Sequence, residues 1–371
     1  MGSKKIRVNN HTKNNKKLNQ KSSQKSKLIV VAIAVAVASI GIIGFMTTSA
    51  NEPNNTISSS QNLTGNWMDV HGIGIYSLQL NDNNNSLYLA THNGLFKKDI
   101  GDNSSSSSSF ANTSGWVQVG NDRSDLMGFT IDPSTKGVMY SSGHPQNAGN
   151  LGFRISNGHG VTWQKVSDVT APTPIDFHTM TVGNNPKIIY AASGMGDNIF
   201  ISTDGGNNWT ITSPPNGQRV VTLATNQSNS NILYAATTNG LFSSQDQGRN
   251  WQEIEDEIVI ANNTMITGIE VSPDGKTVYA FAVPNRADET GNNGYIIKST
   301  DGAKSWTKTE GQILGAQFVS KFAFDKNGDV YTALLQDSAE TGVASSVYSS
   351  NDGGNTWILE GTNNKLLTGE N

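Results

Sequence analysis

Ser202-Thr203-Asp204-Gly205-Gly206-Asn207-Asn208-Trp209 is one copy of a phrase that the chain repeats. It returns as Ser244-Gln-Asp246-Gln-Gly248-Arg-Asn-Trp251, as Ser299-Thr-Asp301-Gly-Ala303-Lys-Ser-Trp306 and as Ser350-Asn-Asp352-Gly-Gly354-Asn-Thr-Trp357. A degenerate copy, Ser156-Asn-Gly158-His159-Gly160-Val-Thr-Trp163, has lost the Asp, and Ala303 replaces the Gly of another. The common frame is S-x-D-x-G-x-x-W at intervals of 42–55 residues, the period of a repeat architecture. Its chemistry is that of a tight strand-to-strand turn. The short Asp side chain caps backbone N–H groups, Gly supplies positive φ and Ser ties the loop start. The Trp opens the next strand and buries a large ring between neighbouring units. The box is therefore scaffold.

Each box closes a longer unit. Ahead of it runs a strand ending in a bulky pair, such as Ile199-Phe200 or Leu241-Phe242, and ahead of that a strand with a Tyr-centred core, such as Ile189-Tyr190-Ala191-Ala192 or Leu233-Tyr234-Ala235-Ala236. A first apolar strand precedes both and ends in a turn, as at Ile131-Asp132-Pro133-Ser134 or Val271-Ser272-Pro273-Asp274-Gly275. Four short strands with turn signals about every ten residues make one propeller blade. The units close at Trp116, Trp163, Trp209, Trp251, Trp306 and Trp357, the first with a Ser tract, Ser104–Ser109, in place of its box. The expected fold is all-β, a six-bladed β-propeller over 67–371. Trp67 heads one further strand, which keeps a seven-bladed ring as the alternative.

The repeat resembles the Asp-box, or BNR, repeat of sialidases, sortilin-type receptors and related propellers, over about residues 67–360. Within that superfamily the chain is most similar to uncharacterised exported propellers described as predicted glycosyl hydrolases, partly through Asp125-Leu-Met-Gly-Phe129, Ser142-Gly-His144-Pro145 and Asp176-Phe-His178. The resemblance implies the fold and leaves function open, because one fold hosts many functions. A sialidase sets three arginines on the substrate carboxylate, with a Tyr–Glu nucleophile pair and an Asp acid. Arg123, Arg219 and Arg286 fit one rim, but Arg154 falls in a third strand and Arg249 in a box. The Phe-Arg-Ile-Pro signature is missing, since Phe153-Arg154-Ile155-Ser156 leads into a box, and no Tyr–Glu pair stands out.

Ahead of the repeats, Leu28–Met46 is a run without a charge, long enough to cross ~30 Å of hydrocarbon as a helix. Nine of the 26 basic residues and no acidic one precede Glu52. The positive-inside rule then leaves 1–27 as a basic, disordered cytoplasmic tail, 28–46 as a membrane anchor, 47–66 as a linker and 67–371 outside the cytoplasm. Cleavage near Ala50, which would secrete the domain, is the alternative; the apolar run is longer than the ~7–15 residues typical of a signal peptide.

Composition narrows the function. Beyond the basic tail, 17 basic residues face 30 acidic ones, which argues against a nucleic-acid partner, because phosphate contacts need a basic surface. The chain has no cysteine, which removes disulfides and thiolate metal sites. A phosphate loop, a His-Glu-x-x-His and a Gly-x-Ser-x-Gly are all missing. Asp325-Lys-Asn-Gly-Asp329 looks like half a calcium loop but reads as a first-to-second-strand turn, and no helix opens after Gly194-Met-Gly196.

If strands are numbered outward from the propeller axis, the boxes lie on one face, while blade-to-blade connections and second-to-third loops lie on the other. His71 and His178 start first strands, and His92 and His144 fall in second-to-third loops. All four map to that second rim in blades one to three, beside Asp122, Arg123, Asp125 and Asp176; His159 sits in a box. The candidate ligand-binding residues are therefore His71, His92, Arg123, Asp125, His144, Asp176, His178 and Arg219. Two specific chemistries suit them. His92, His144 and His178 with a carboxylate could hold a divalent transition metal, although no cofactor is required. Asp125, Asp176 and His178 could do acid–base work on a glycan. A polar lining of a wet channel mouth is the plain alternative. The reading adopted is a monomeric, membrane-anchored module that binds a glycan, protein or small ligand on its rim. A glycoside hydrolase is the first alternative, and a membrane-complex assembly factor, as among Asp-box propellers that assist photosystem construction, is the second.

Overall fold

The computed structural model describes residues 67, 69–76, 84–101, 115–170, 173–260, 264–284, 294–338 and 342–363. The expected tail, anchor and linker, the Ser tract and Arg286 lie outside these residues. Among the described residues no helix is long and apolar enough to cross a membrane.

Six antiparallel four-stranded sheets, each contiguous in sequence, form the blades. Their first strands are Val70–Tyr76, Asp125–Ile131, Phe177–Asn184, Val220–Asn226, Met265–Val271 and Ala316–Phe324. Each lies beside the first strand of the next blade, and the last lies beside the first, so the ring closes at six. Trp67 does not begin a seventh blade. It immediately precedes the first strand of blade 1, where its ring packs at 4.9 Å from that of Trp116.

Six apolar clusters hold the ring together, one at each blade interface. The cluster between blades 2 and 3, for example, joins Tyr140 and Phe153 to Phe177, Met180 and Phe200, with Trp209 packed against it. Trp209 stands 5.1 Å from Phe153 and 5.2 Å from Phe177, as expected of a box Trp wedged between blades. Trp163, Trp251, Trp306 and Trp357 do the same at their interfaces, and Trp116 with Trp67 at the seam between blades 6 and 1. Hydroxyls at the interfaces tie neighbouring strands. Ser142 Oγ accepts from Phe177 N at 3.0 Å, and Thr179 Oγ1 from Leu223 N at 3.2 Å.

The boxes form the turns their chemistry predicts. Ser202 Oγ accepts from Gly206 N at 2.8 Å and donates to Asp204 Oδ1 at 2.9 Å, while Asp204 Oδ1 accepts from Asn208 N at 2.9 Å. Gly205 and Gly206 adopt φ of 75° and 91°. Ala303 holds the equivalent left-handed position at φ 68°, still donating to Ser299 Oγ. The expected turn at Asp325 is also present, with Oδ1 accepting from Asn327 N and Asp329 N.

Candidate functional site

The first strands start on the rim opposite the boxes, and that placement gathers the histidines. His71 is the second residue of the blade 1 first strand, Asp125 opens that of blade 2, and His178 is the second of blade 3, just after Asp176. His92 lies in the turn after Asn84–Thr91, and His144 ends the strand Met139–His144. Four backbone segments from two blades and the entry to a third thus deliver six side chains to one rim.

They sort into two triads, each with donor atoms within 4.8 Å of one another: His71, His92 and Asp125, and His144, Asp176 and His178. In the first, His92 Nδ1 lies 2.8 Å from Asp125 Oδ2, and His71 Nε2 lies 3.6 Å from Asp125 Oδ1. The two rings meet edge to face with centroids 4.2 Å apart. In the second, both imidazoles converge on one oxygen: His178 Nε2 is 2.5 Å and His144 Nε2 3.0 Å from Asp176 Oδ2. Asp125 and His144 are register partners in the blade 2 ladder, which sets the triads side by side.

The electrostatics are uneven. Burial, reinforced by the neighbouring His92, pushes His71 down to about 3, so it is neutral at physiological pH. Burial also opposes the charge on His92, but its hydrogen bond to Asp125 together with the negative charges of Asp125 and Asp69 raises the imidazole. The bond to Asp176 lifts His144 to about 9. Asp176 is buried, which favours its protonated form, yet hydrogen bonds from His144 and His178 hold it well below the ordinary carboxylate range.

Not every expected residue joins the triads. Arg123 turns back, donating to the carbonyls of Gly120 and Asp122 at 3.0 Å. Arg219 stands at the entry to blade 4, where its Nε donates to Met195 O. Asp122 is engaged by Arg154, whose guanidinium lies over the Trp163 ring. His159 packs against Tyr76 inside its box.

Two features were missed. Gly194 occupies in blade 3 the loop place that carries His92 in blade 1, and a Cβ there would meet the His178 ring at 2.6–2.9 Å. Glycine at 194 therefore makes room for His178; the signal was the local alignment Ala-Thr-His against Ala-Ser-Gly. The second is a plug. Lys321, on the blade 6 first strand, donates across the axis to Met180 O of blade 3 at 3.0 Å, with its Nζ 3.6 Å from Glu270. Burial raises the Glu270 carboxyl. Below the plug a cavity of about 880 Å³, lined by Tyr76, Asp132, Glu270 and Asp325 among others, opens at the far mouth, away from the triads. The one charged residue of that first strand, Lys321 in Val319-Ser-Lys321-Phe-Ala, was the available signal.

Known proteins place the fold. The family model described as sortilin, neurotensin receptor 3 (Sortilin-Vps10) matches residues 152–330. A GH74 enzyme of Niastella koreensis superposes with a TM-score of 0.52 at 18% identity, over 80% of this chain and 46% of that one. An ancestral GH74 enzyme gives 0.49 at 18% identity, over 82% and 40%. A chain of a nidogen/laminin complex gives 0.49 at 11%, over 71% and 88%. The chain spans less than half the length of either GH74 enzyme. No curated protein matches it in sequence. The chain is a six-bladed β-propeller that resembles the sortilin model over residues 152–330, and at these identities the structural likeness is one of fold.

Proposed function

We propose that the protein is a binding module of the cell surface, tethered through residues 28–46 with the propeller outside the cytoplasm, and that its ligand seats on the rim of blades 1–3. One observation carries the reading: six ionisable side chains, four of them largely buried, meet on that rim as two three-residue clusters of imidazole and carboxylate. Burying charge and imidazole is costly, and a fold that keeps six together without a structural task is holding them for a ligand. A sortilin-like scaffold suits a receptor for a protein or glycan.

A hydrolase is less well served. Glycoside hydrolysis needs one carboxylic acid held protonated, with its pKa raised. Asp176 is shifted the other way by its two histidines.

The test uses the full chain in lipid nanodiscs against panels of glycans and peptides, beside the double variant Asp125→Asn/Asp176→Asn. Binding that disappears in a variant of unchanged melting temperature supports the rim as the surface. Equal binding by both proteins rejects it, and release of new reducing ends would replace binding with hydrolysis.

A further inference from the structure

We infer that the two triads are paired centres for a late first-row divalent metal ion, zinc(II) or copper(II), each holding it through two imidazoles and one carboxylate. The inference deepens the rim reading and rests on it: metal would be what the ligand meets, presenting open coordination positions to an anionic group such as a carboxylate, phosphate or sugar diolate.

Four observations converge. First, Asp125 Oδ1, Asp176 Oδ1 and His71 Nε2 are buried and have no hydrogen-bond partner, although buried polar atoms nearly always find one. His71 Nε2 and Asp125 Oδ1 face one another across 3.6 Å in the first triad, and Asp176 Oδ1 is the second oxygen of the carboxylate that both imidazoles of the other triad approach.

Second, His144 Nε2 and His178 Nε2 crowd the same oxygen of Asp176. Without a metal, two N–H donors must share one lone-pair region while the second oxygen goes without. A cation between the three groups replaces both protons. Ligand atoms around a tetrahedral ion at ~2.0–2.1 Å stand about 3.3 Å apart. The separations are 2.5 and 3.0 Å in this triad and 2.8 and 3.6 Å in the other, each within about 1 Å of that value.

Third, the outer partner of a metal-bound imidazole is in place. His144 Nδ1 lies 3.1 Å from the Gly149 carbonyl, so it donates there and turns Nε2 toward the centre.

Fourth, the arrangement recurs one blade apart. A second-to-third-loop histidine, His92 or His144, faces the acid at the entry to the next blade, Asp125 or Asp176. The third ligand differs: His71 comes from blade 1 itself, and His178 from the blade that supplies Asp176. A polar channel lining has no reason to repeat this pairing. Two nitrogens and one oxygen suit zinc, copper, nickel or iron(II), and disfavour calcium or magnesium, which require oxygen donors. Three protein ligands leave at least one position open.

The test is metal stoichiometry on the full chain, stripped with chelator, loaded with Zn²⁺ or Cu²⁺ and dialysed, with bound metal counted by mass spectrometry. The parent should retain about two ions, and His71→Ala/His92→Ala and His144→Ala/His178→Ala about one each. His159→Ala, a histidine of the opposite face, should retain the parent's count. Gly194→Ala, which drives a methyl into the His178 ring without removing a ligand, should weaken the second centre alone. Substituting Co²⁺ should give visible d–d bands that change in each double variant. Loss of fold in a variant is read from its melting curve, and Asp125→Asn or Asp176→Asn then serves as the milder replacement. Retention of less than half an ion by the parent, or full retention by both double variants, overturns the inference. The ligand panels are run on stripped and loaded protein. Metal retention without any panel binding would sink the rim reading alone, and panel binding by metal-free protein that retains no ion would sink this one alone.

Discussion

Lys98 and Glu360, 262 positions apart, form a buried ion pair at the seam of the ring, with Nζ 2.8 Å from Oε2. The ammonium also donates to the Glu360 carbonyl at 3.1 Å and lies 5.9 Å from the Trp116 ring, and Ser349 donates to the other carboxylate oxygen. Blade 1 supplies the lysine and blade 6 the glutamate. Every blade is contiguous in sequence, so no exchanged strand joins the ends and side chains latch the ring.

Breaking that latch on one side leaves an uncompensated buried charge. Lys98→Met or Glu360→Gln should cost about 3–5 kcal/mol in denaturant unfolding, while Lys98→Met/Glu360→Leu should fall within about 2 kcal/mol of the parent. Equal losses in single and double variants would show that packing at the seam matters more than the pair.

A degenerate box and an intact one give opposite predictions. Gly158 has open space around a would-be Cβ and ordinary backbone, and its box retains the Ser156–Gly160 bond. Gly158→Asp restores the missing cap and should raise the melting temperature by about 1–3 °C. Gly206→Ala should instead destabilise by about 2 kcal/mol or more, because φ is 91° and the methyl would run into the buried Phe153 ring. Differential scanning calorimetry separates the two.

A pH dependence of stability at the far mouth follows from Asp329. Burial, with repulsion from Asp325, raises its carboxyl from 3.8 to about 6. The folded state therefore binds this proton more tightly than the unfolded one. That stabilisation is fully present below about pH 4 and is lost as pH rises through 6. Asp329→Asn should stabilise the protein at pH 7.5, by about 1 kcal/mol after allowing for solvent screening at a half-exposed site, and should be neutral at pH 4. The backbone bonds of the turn, from Asp329 N and to Asp329 O, survive the change. An effect independent of pH would rule out the carboxyl as its cause.

Much of this was legible in the chain because propeller information is local. The box, its Trp and the Tyr-centred strand repeat within each unit, so blade number and sidedness could be read, and sidedness alone put His71, His92, His144 and His178 on one rim. Partnership was not legible. Nothing in the sequence says that His92 takes Asp125 while His144 and His178 share Asp176, because those pairings depend on how one blade's loop overhangs the next. Arg123 and Arg219, expected on the rim, turn to backbone carbonyls, a choice settled by local geometry. Lys98–Glu360 and the Lys321 plug join residues from distant blades or across the axis, where no periodicity reaches. Trp67 looked like a strand of its own because box-less Trp116 offers no local sign that the two rings pack together.

The rim of blades 1–3 is tested most directly by anomalous diffraction at the zinc edge from crystals of the full chain loaded with Zn²⁺. Peaks are expected between His71, His92 and Asp125 and between His144, Asp176 and His178. A map with no peak on that rim, or with peaks only at the far mouth around Asp325 and Asp329, would contradict the assignment.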